Sequence, residues 1–479
     1  MNLKTGFNLA LAVILLGISD AVPASTAPRM VPVATKPGAE WKTFSTRTLD
    51  DLPAVAAAPA DADLSQYGGL LARKEKATGF FHTAKVGDRW WLVDPDGCLC
   101  LNVGVAGVKM IPTPGARAAL AAKFGSESNW AAGTTTLLRR NGFNAVGAWS
   151  DTTPLRAVAK PLVYTTIWNF MSSYGKKRGG TYQQPGHTGY PNDCIFVFDP
   201  AFEIFCDDYA KQLAADKDDP WLLGHFSDNE LPFKPGLLTN YLALPAGDPG
   251  HKAAWDFLQS RHGAKAATAD ITERDKSEFL TLVAQRYFRI VSSAIKKYDP
   301  NHLYLGPRLH GMELLRCPEF FKAIGPFLDV VSVNYYRVWT PDSQVAMWSH
   351  QAQKPVLITE WYAKGIDSGM PNNGGAGWLV KTQRERGQFY QNFTLGLLES
   401  KVCVGWHWFR YSDNDLDDKT VDPSNRDSNK GIVNNRYEPY APLLAEMKSL
   451  NEHVYSLVDY FDGTFTNRTD KRSLGEKGD

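Results

Sequence analysis

Short apolar runs recur along the chain with longer stretches of helical period between them, and this alternation is the strongest structural signal in the sequence. The runs cover 98–105, 143–149, 162–168, 221–227, 303–308, 328–335, 355–360 and 402–408. They are too continuous in apolar residues for strands with one wet face, so they predict a parallel sheet covered on both sides. Between the fourth and fifth runs, Phe279, Leu282, Val283, Tyr287, Ile290, Val291 and Ile295 fall at helical spacing before Asp299-Pro300 stops the pattern. That segment, 272–298, predicts an outer-ring helix. Eight strands alternating with helices predict an α/β fold, and the count favours a closed (β/α)8 TIM barrel over an open doubly wound sheet.

Ahead of the barrel, Phe80 to Lys85 and Trp90 to Val93 flank the turn Val86-Gly87-Asp88-Arg89, and Asp94-Pro95-Asp96-Gly97 makes a second turn. These predict an N-terminal β-hairpin feeding another strand, placed as a plug at the bottom of the barrel. Residues 25–65 are rich in Ala, Pro and Asp and lack either period, so they read as a linker or extended arm. Residues 1–24 read as a secretory signal: Lys4, an apolar stretch from Leu9 to Ile18, and small residues in Val22-Pro23-Ala24. The catalytic domain is then 66–460, with a C-terminal tail at 461–479. Three loops after strands, 169–199, 231–268 and 411–434, are too long for simple connections and are expected to wall a cleft.

The full 479 residues are 43% hydrophobic and 12% aromatic, enough for a large core. A formal charge of +1 gives no general attraction for nucleic acid or anionic lipid, and favours a neutral or weakly charged partner. No stretch beyond the leader approaches the length of a membrane span, so no membrane association is expected after signal cleavage, and the product is expected to be secreted or periplasmic. Cysteines at 98, 100, 194, 206, 317 and 403 form no metal-ligand spacing, so no metal is expected. Cys98, Cys100 and Cys403 read as core residues, while Cys194 and Cys206 flank a loop and could bridge in an exported protein.

Two strands end on glutamates, Glu230 after Trp-Leu-Leu-Gly-His-Phe-Ser-Asp-Asn and Glu360 in Pro-Val-Leu-Ile-Thr-Glu-Trp. Carboxylates at the C-terminal ends of barrel strands project into the face where such folds do chemistry. A pair placed so points to glycosidic bond hydrolysis, with one proton donor and one nucleophile or base. A lone strand-end Glu is usually paired with a cation; the two together, in the fourth and seventh of eight strands, favour catalysis. Asp151, Asp228 and Asp413 are competing acids near strand ends, and one of them acting with Glu230 across a wider gap would give inversion. The acidic run from Asp413 to Asp418 lacks the Gly and terminal Glu of a calcium loop and reads as a solvated loop.

Asn229-Glu230 at the end of a fourth strand resembles the acid/base signature of clan A glycoside hydrolases, and Glu360 falls where that clan places its nucleophile. The resemblance implies that Asn229 bonds a sugar hydroxyl, that Tyr336 or Tyr335 bonds the nucleophile, and that Trp406 or Trp408 floors the sugar. Adjacent residues on a strand point opposite ways, so one of Tyr335 and Tyr336 is core. Trp149, His310 and Trp361 are further strand-end candidates, with His310 either orienting a carboxylate or structural.

Three stretches narrow the likeness: Asp88-Arg89-Trp90-Trp91-Leu92-Val93-Asp94-Pro95-Asp96-Gly97, Asp299-Pro300-Asn301-His302-Leu303-Tyr304-Leu305-Gly306-Pro307-Arg308, and Asp427-Ser428-Asn429-Lys430-Gly431-Ile432-Val433. With Phe226-Ser227-Asp228-Asn229-Glu230 and Ile358-Thr359-Glu360-Trp361, they resemble the β-agarases of glycoside hydrolase family 50 over roughly 78–457. The family implies retaining hydrolysis of β-1,4 bonds in agarose or neoagaro-oligosaccharides without a cofactor, often releasing neoagarobiose from chain ends. It makes Glu230 the acid/base and Glu360 the nucleophile, and puts Asn429 and Lys430 in a loop near the sugar. Its larger members carry an N-terminal carbohydrate-binding-like domain, whereas only a short segment here precedes the hairpin. The alternatives are a clan A enzyme acting on another galactan, a β-galactoside or mannan, and a barrel that only binds glycans.

Overall fold

A computed structural model describes residues 28–466 except Ala62 and Pro185. The expected signal peptide lies outside the described residues, as does the tail from 467 onward.

Eight strands form one parallel sheet: Asn102–Ala106, Ala145–Val146, Val163–Ile167, Leu222–Phe226, Leu303–Gly306, Val331–Asn334, Val356–Glu360 and Cys403–Phe409. Numbered along the chain, the barrel strands neighbour in the order 5-4-3-2-1-8-7-6. The sheet therefore curls into a nearly closed, TIM-like barrel, and the last gap is bridged where the Leu309 N–H donates to the Ser332 carbonyl at 2.9 Å and the Asn334 N–H to the Leu309 carbonyl at 2.9 Å. The apolar run at 98–105 differs from expectation. It divides at Leu101, with Cys98–Cys100 joining a separate antiparallel sheet and Asn102–Ala106 entering the barrel.

That antiparallel sheet pairs Leu70–Lys74, Cys98–Cys100, Arg89–Val93 and His82–Val86 in this order. His82–Val86 and Arg89–Val93 form the hairpin around Gly87, whose φ of 60° suits the tight two-residue turn. Tyr67, Phe81, Leu92 and Cys100 pack on Ala145, Val163, Leu223, Leu303, Val330 and Val404 inside the barrel, so the small sheet is its floor. The larger apolar cluster fills the space between the sheet and the outer helices. Helix Glu273–Tyr298 starts at a capping box in which Thr272 accepts from the Asp275 N–H and Asp275 accepts from the Thr272 N–H, and it buries Phe279, Val283, Tyr287, Ile290, Val291 and Ile295. Leu282, which shares the helical spacing, is 37% exposed on its outer face.

Residues 28–61 are not a loosely draped linker. Met30–Val33 pairs with Lys42–Ser45, Ala34 bridges Leu379, and the Arg47 and Leu49 N–H groups donate to Asn392 and Gln391 of helix Gln383–Glu399. Val31, Val33, Leu49 and Val55 are buried, so the arm is fastened along the barrel wall by its sparse apolar residues. All six cysteines are free thiols, including Cys194 and Cys206. Among the described residues no helix is long and apolar enough to cross a membrane.

Candidate active site

The C-terminal ends of the strands open into a cavity of about 590 Å³ lined by both Glu230 and Glu360. Glu360 is the last residue of the seventh strand and 7% exposed. Its Oε1 accepts from Arg308 Nη2 at 2.6 Å and its Oε2 from the Tyr336 hydroxyl at 2.8 Å. Burial and the adjacent carboxylate hold the Tyr336 hydroxyl far above its ordinary range, so it remains a donor. One cationic and one neutral donor therefore converge on the two oxygens of Glu360.

Glu230 stands in a different environment. It lies beyond the fourth strand with φ 52°, and its N–H donates to the Pro307 and Arg308 carbonyls at 3.1 and 3.3 Å. Oε1 accepts from Asn334 Nδ2 at 2.7 Å, while Oε2 faces His187 Nδ1 at 3.6 Å. Burial raises its carboxyl above the ordinary glutamate range and the Glu360 charge raises it further, against opposing pulls from His310, Asn334 and Arg308. Two carboxyl groups with different hydrogen-bond partners thus share one cavity, as a proton donor and a nucleophile must.

Local backbone geometry serves this placement. Trp149, Glu230, Arg308 and Arg337 all have φ between 52° and 66°, a left-handed conformation that costs non-glycine residues energy and turns their side chains at the strand ends. Arg308 is fully buried between Trp149 and Phe226, whose ring centroids lie 5.6 and 5.5 Å from its guanidinium carbon.

Of the sequence candidates, Asn229, Tyr336, His310, Trp149 and Lys430 also line the cavity. Asn229 Oδ1 accepts from Asn334 Nδ2 at 3.3 Å. His310 Nδ1 lies 3.2 Å from the Asn334 carbonyl and 4.0 Å from Glu230 Oε1. Lys430 is fully buried, its Nζ bonded to Asn425 and 5.2 Å from the Phe409 ring centre; burial holds its amine well below the usual lysine range.

Five candidates are placed elsewhere. Tyr335 points away from Tyr336 and packs on Trp348 and Phe393. Trp361 is wholly buried, stacked 4.2 Å from Phe393. Trp406 donates to the Tyr390 hydroxyl at 2.9 Å and Trp408 to the Lys430 carbonyl at 2.9 Å, both facing the helices. Between them on the eighth strand, His407 points into the barrel, and Phe409 is the aromatic residue of that strand that reaches the cavity. Asn429 is buried behind the wall, bonded to Gly365, Gln383 and Asp413.

None of the competing strand-end acids lines the cavity. Asp151 accepts from the Met110 N–H, and Asp413 from the Lys430 and Gly431 N–H groups and the Tyr440 hydroxyl. Asp228, pushed up to about 7 by burial, is held by Met171, Ser172 and Tyr287. The loop from 413 to 418 is also not simply solvated, because Asp413, Asn414 and Asp418 are buried and Asp415 and Asp418 border the cavity.

Loops 169–199 and 411–434 contribute to the wall through Gly186 and His187 and through Asp422, Asn425 and Lys430. Loop 231–268 does not: it folds into helices Leu237–Leu242 and Pro249–His262, which pack on helix Glu273–Tyr298. His187, Arg337, Tyr362 and Arg410 were missed by sequence reasoning, since irregular loops carry no period that says which side chain turns inward. Among the described residues the sole cluster with metal-ligand proximity is His225, Asp299 and His302. Its ring nitrogens are already engaged: His225 with Asp299 at 2.7 Å and Trp168 at 3.1 Å, His302 with Asp299 at 2.7 Å and the Asp219 carbonyl at 2.9 Å.

A parallel α/β barrel with a buried glutamate pair at its strand ends is the arrangement that glycosidic bond hydrolysis uses. No family model matches the chain. Among curated proteins it is similar to β-agarase B of Vibrio sp. (strain JT0107), 27% identical over 496 residues that cover 82% of this chain and 50% of that protein. It is likewise 27% identical to β-agarase A of the same organism over 390 residues, 70% of this chain and 37% of that one. Superposition on the crystal structure of BpGH50 gives a TM-score of 0.78 at 31% identity, covering 91% of this chain and 96% of the other. The chain belongs to the GH50 family. It spans at most half the length of the curated relatives it matches.

Proposed function

We propose that the protein is an exported retaining glycoside hydrolase that cleaves β-1,4 linkages of agarose or neoagaro-oligosaccharides, with Glu230 as acid/base and Glu360 as nucleophile. The observation that carries this reading is the contrast between the two carboxyls. Glu360 accepts from the Arg308 guanidinium and the Tyr336 hydroxyl, whereas the Glu230 carboxyl, bonded only to an amide, is raised by burial. In the first half-reaction Glu360 attacks the anomeric carbon, the glycosidic bond breaks, and the Glu230 proton passes to the leaving oxygen. In the second, Glu230 takes a proton from water, which attacks the glycosyl ester and frees Glu360.

The position of the glutamates after the fourth strand and at the end of the seventh supports the clan A layout. Asn229, His310, Trp149 and Lys430 supply hydrogen bonds and an aromatic face for a poly-hydroxylated ring. The named activity of the Vibrio relatives supports agarose as the polymer. The amino-terminal leader pattern supports secretion or a periplasmic location, with the polysaccharide as the partner.

The test is product release from agarose and neoagaro-oligosaccharides, read by mass spectrometry beside Glu360→Gln. Neoagarobiose or neoagarotetraose from the wild type alone supports both the sugar and the nucleophile. Release from porphyran or simple β-galactosides with none from agarose would overturn the substrate. Equal release by both proteins would overturn Glu360.

A further inference from the structure

The two oxygens of Glu230 are not equivalent. Oε1 already accepts from Asn334 Nδ2 at 2.7 Å, so it is the oxygen without the proton when the carboxyl is neutral. Oε2 makes no hydrogen bond to the described residues and faces His187 Nδ1 at 3.6 Å. That nitrogen is itself buried without a partner. A gap of 3.6 Å exceeds a hydrogen bond, yet catalytic contacts of this kind commonly tighten when substrate closes the site.

We propose that His187 is a positioning residue for the acid proton: as a neutral imidazole, its Nδ1 accepts from the protonated Oε2 and holds that proton on the cavity side. The inference rests on the acid/base reading of Glu230.

His187 is carried by the hairpin of Tyr182–Gln184 and His187–Gly189, which places it over the cavity opposite the fourth strand's end. The titratable groups facing it are Glu230 beyond the fourth strand, His310 beyond the fifth, Asp193 on its own loop and Asp422 on the loop after the eighth strand. Burial and His310 push the imidazole down and the two aspartates pull it up, with burial the largest influence. A neutral ring in its Nε2–H tautomer has an acceptor at Nδ1, which stabilises the protonated carboxyl. An imidazolium there would do the reverse.

The proton balance is closed. Oε2 gives its proton to the glycosidic oxygen as the bond to the anomeric carbon breaks, and regains one from the attacking water. The imidazole ends each turnover as it began. His187 therefore acts through Glu230.

The test is a carboxyl carbon-13 NMR titration of the full chain, with the Glu230 signal assigned by its loss in Glu230→Gln. In the wild type it should titrate above the ordinary 4.5. His187→Leu, which fills the space without an acceptor, should lower that midpoint by roughly one unit and move the alkaline limb of kcat/KM with it. His187→Asn, which puts an amide oxygen near the place of Nδ1, should retain most of the wild-type value. If wild-type Glu230 titrates normally, the acid/base reading itself fails. If it is raised in the wild type and His187→Leu leaves it there or raises it further, the role of His187 alone is overturned. Equal thermal midpoints of the three proteins keep misfolding out of the comparison.

Discussion

Arg308 Nη2 donates to Glu360 Oε1 at 2.6 Å and to the Thr359 carbonyl at 3.2 Å, while Nε and Nη1 of the same buried guanidinium have no partner. A fully buried cation that leaves two donors unused contributes little to stability, so its part lies in the positive charge it presents to Glu360. Arg308→Met should lower kcat by about 10²–10³ through loss of that preorganised charge. Arg308→Lys restores a charge without the planar fork and should recover only part. Steady-state kinetics on intact, folded variants decides this, and a methionine variant with more than half of the wild-type kcat would refute it.

Tyr336 approaches the other oxygen of the same carboxylate, with its hydroxyl 2.8 Å from Oε2. Removing one hydrogen bond to a charged group costs about 1.5–3 kcal/mol, which corresponds to roughly a tenfold to hundredfold fall in kcat for Tyr336→Phe. KM should move little if Glu360 is the nucleophile, because the lost bond is then to the enzyme and not to the sugar. A variant in which KM alone changes would make Tyr336 a sugar ligand instead.

The acid/base assignment has a signed pH dependence. Glu230 gives its proton only when neutral, and its folded value lies above the ordinary one, so activity should be lost as pH rises through that higher value. Glu230→Ala should lose this alkaline limb and regain turnover with azide, forming the β-glycosyl azide. Glu360→Gly should instead give the α-azide by direct displacement. The anomeric configuration of the two products, read by NMR, tests retention and both roles together.

The alternation of apolar runs and helical periods located all eight barrel strands, and strand-end position together with the Asn229-Glu230 pattern pointed to two glutamates that both line the cavity. The direction of neighbouring aromatics was not legible. Along Trp406-His407-Trp408 every residue is buried, because both faces of a barrel strand are covered, so polarity does not reveal which one faces inward. Tyr335 and Tyr336 pose the same problem. His187 was invisible for another reason: its approach to Glu230 depends on a hairpin inside a long loop, formed by contacts that no local pattern encodes.

Close strand packing makes one glycine a strict requirement. A Cβ on Gly224, in the fourth barrel strand, would lie 2.2 Å from the Leu303 carbonyl oxygen, and backbone cannot yield as a side-chain tip can. Gly224→Ala should cost about 3 kcal/mol or more, or abolish soluble expression. Gly247→Ala, at a site with no heavy atom within 4 Å and no left-handed φ, should stay within about 0.5 kcal/mol of wild type. Urea unfolding of the pair checks the contrast, and a mild Gly224→Ala would mean that the fourth and fifth strands can separate.

His407 makes stability depend on pH from the acid side. Its Nε2 meets Asn102 Oδ1 at 2.6 Å, and it packs where a Cβ on Gly104 or Gly147 would lie 2.8 or 2.5 Å from its ring. Burial and the nearby Arg308 charge push it down to about 3. Its folded value is thus below its unfolded one, so between pH 6.5 and 3 the unfolded chain takes up a proton that the folded protein refuses, and stability falls as pH falls. His225 is lowered in the same direction by burial, and Asp299, held down by hydrogen bonds from His225 and His302, loses its contribution only in stronger acid. From pH 6.5 to 5, His407 alone should remove about 2 kcal/mol. His407→Gln, with no titrating ring, should flatten that part of the profile while lowering stability at pH 7, because the close fit against the two glycines is lost. Urea titrations of both proteins at pH 7 and 5 separate the effects: the variant's loss between the two pH values should be the smaller by that amount. An equal loss would place the acid sensitivity with His225 and not with the barrel interior.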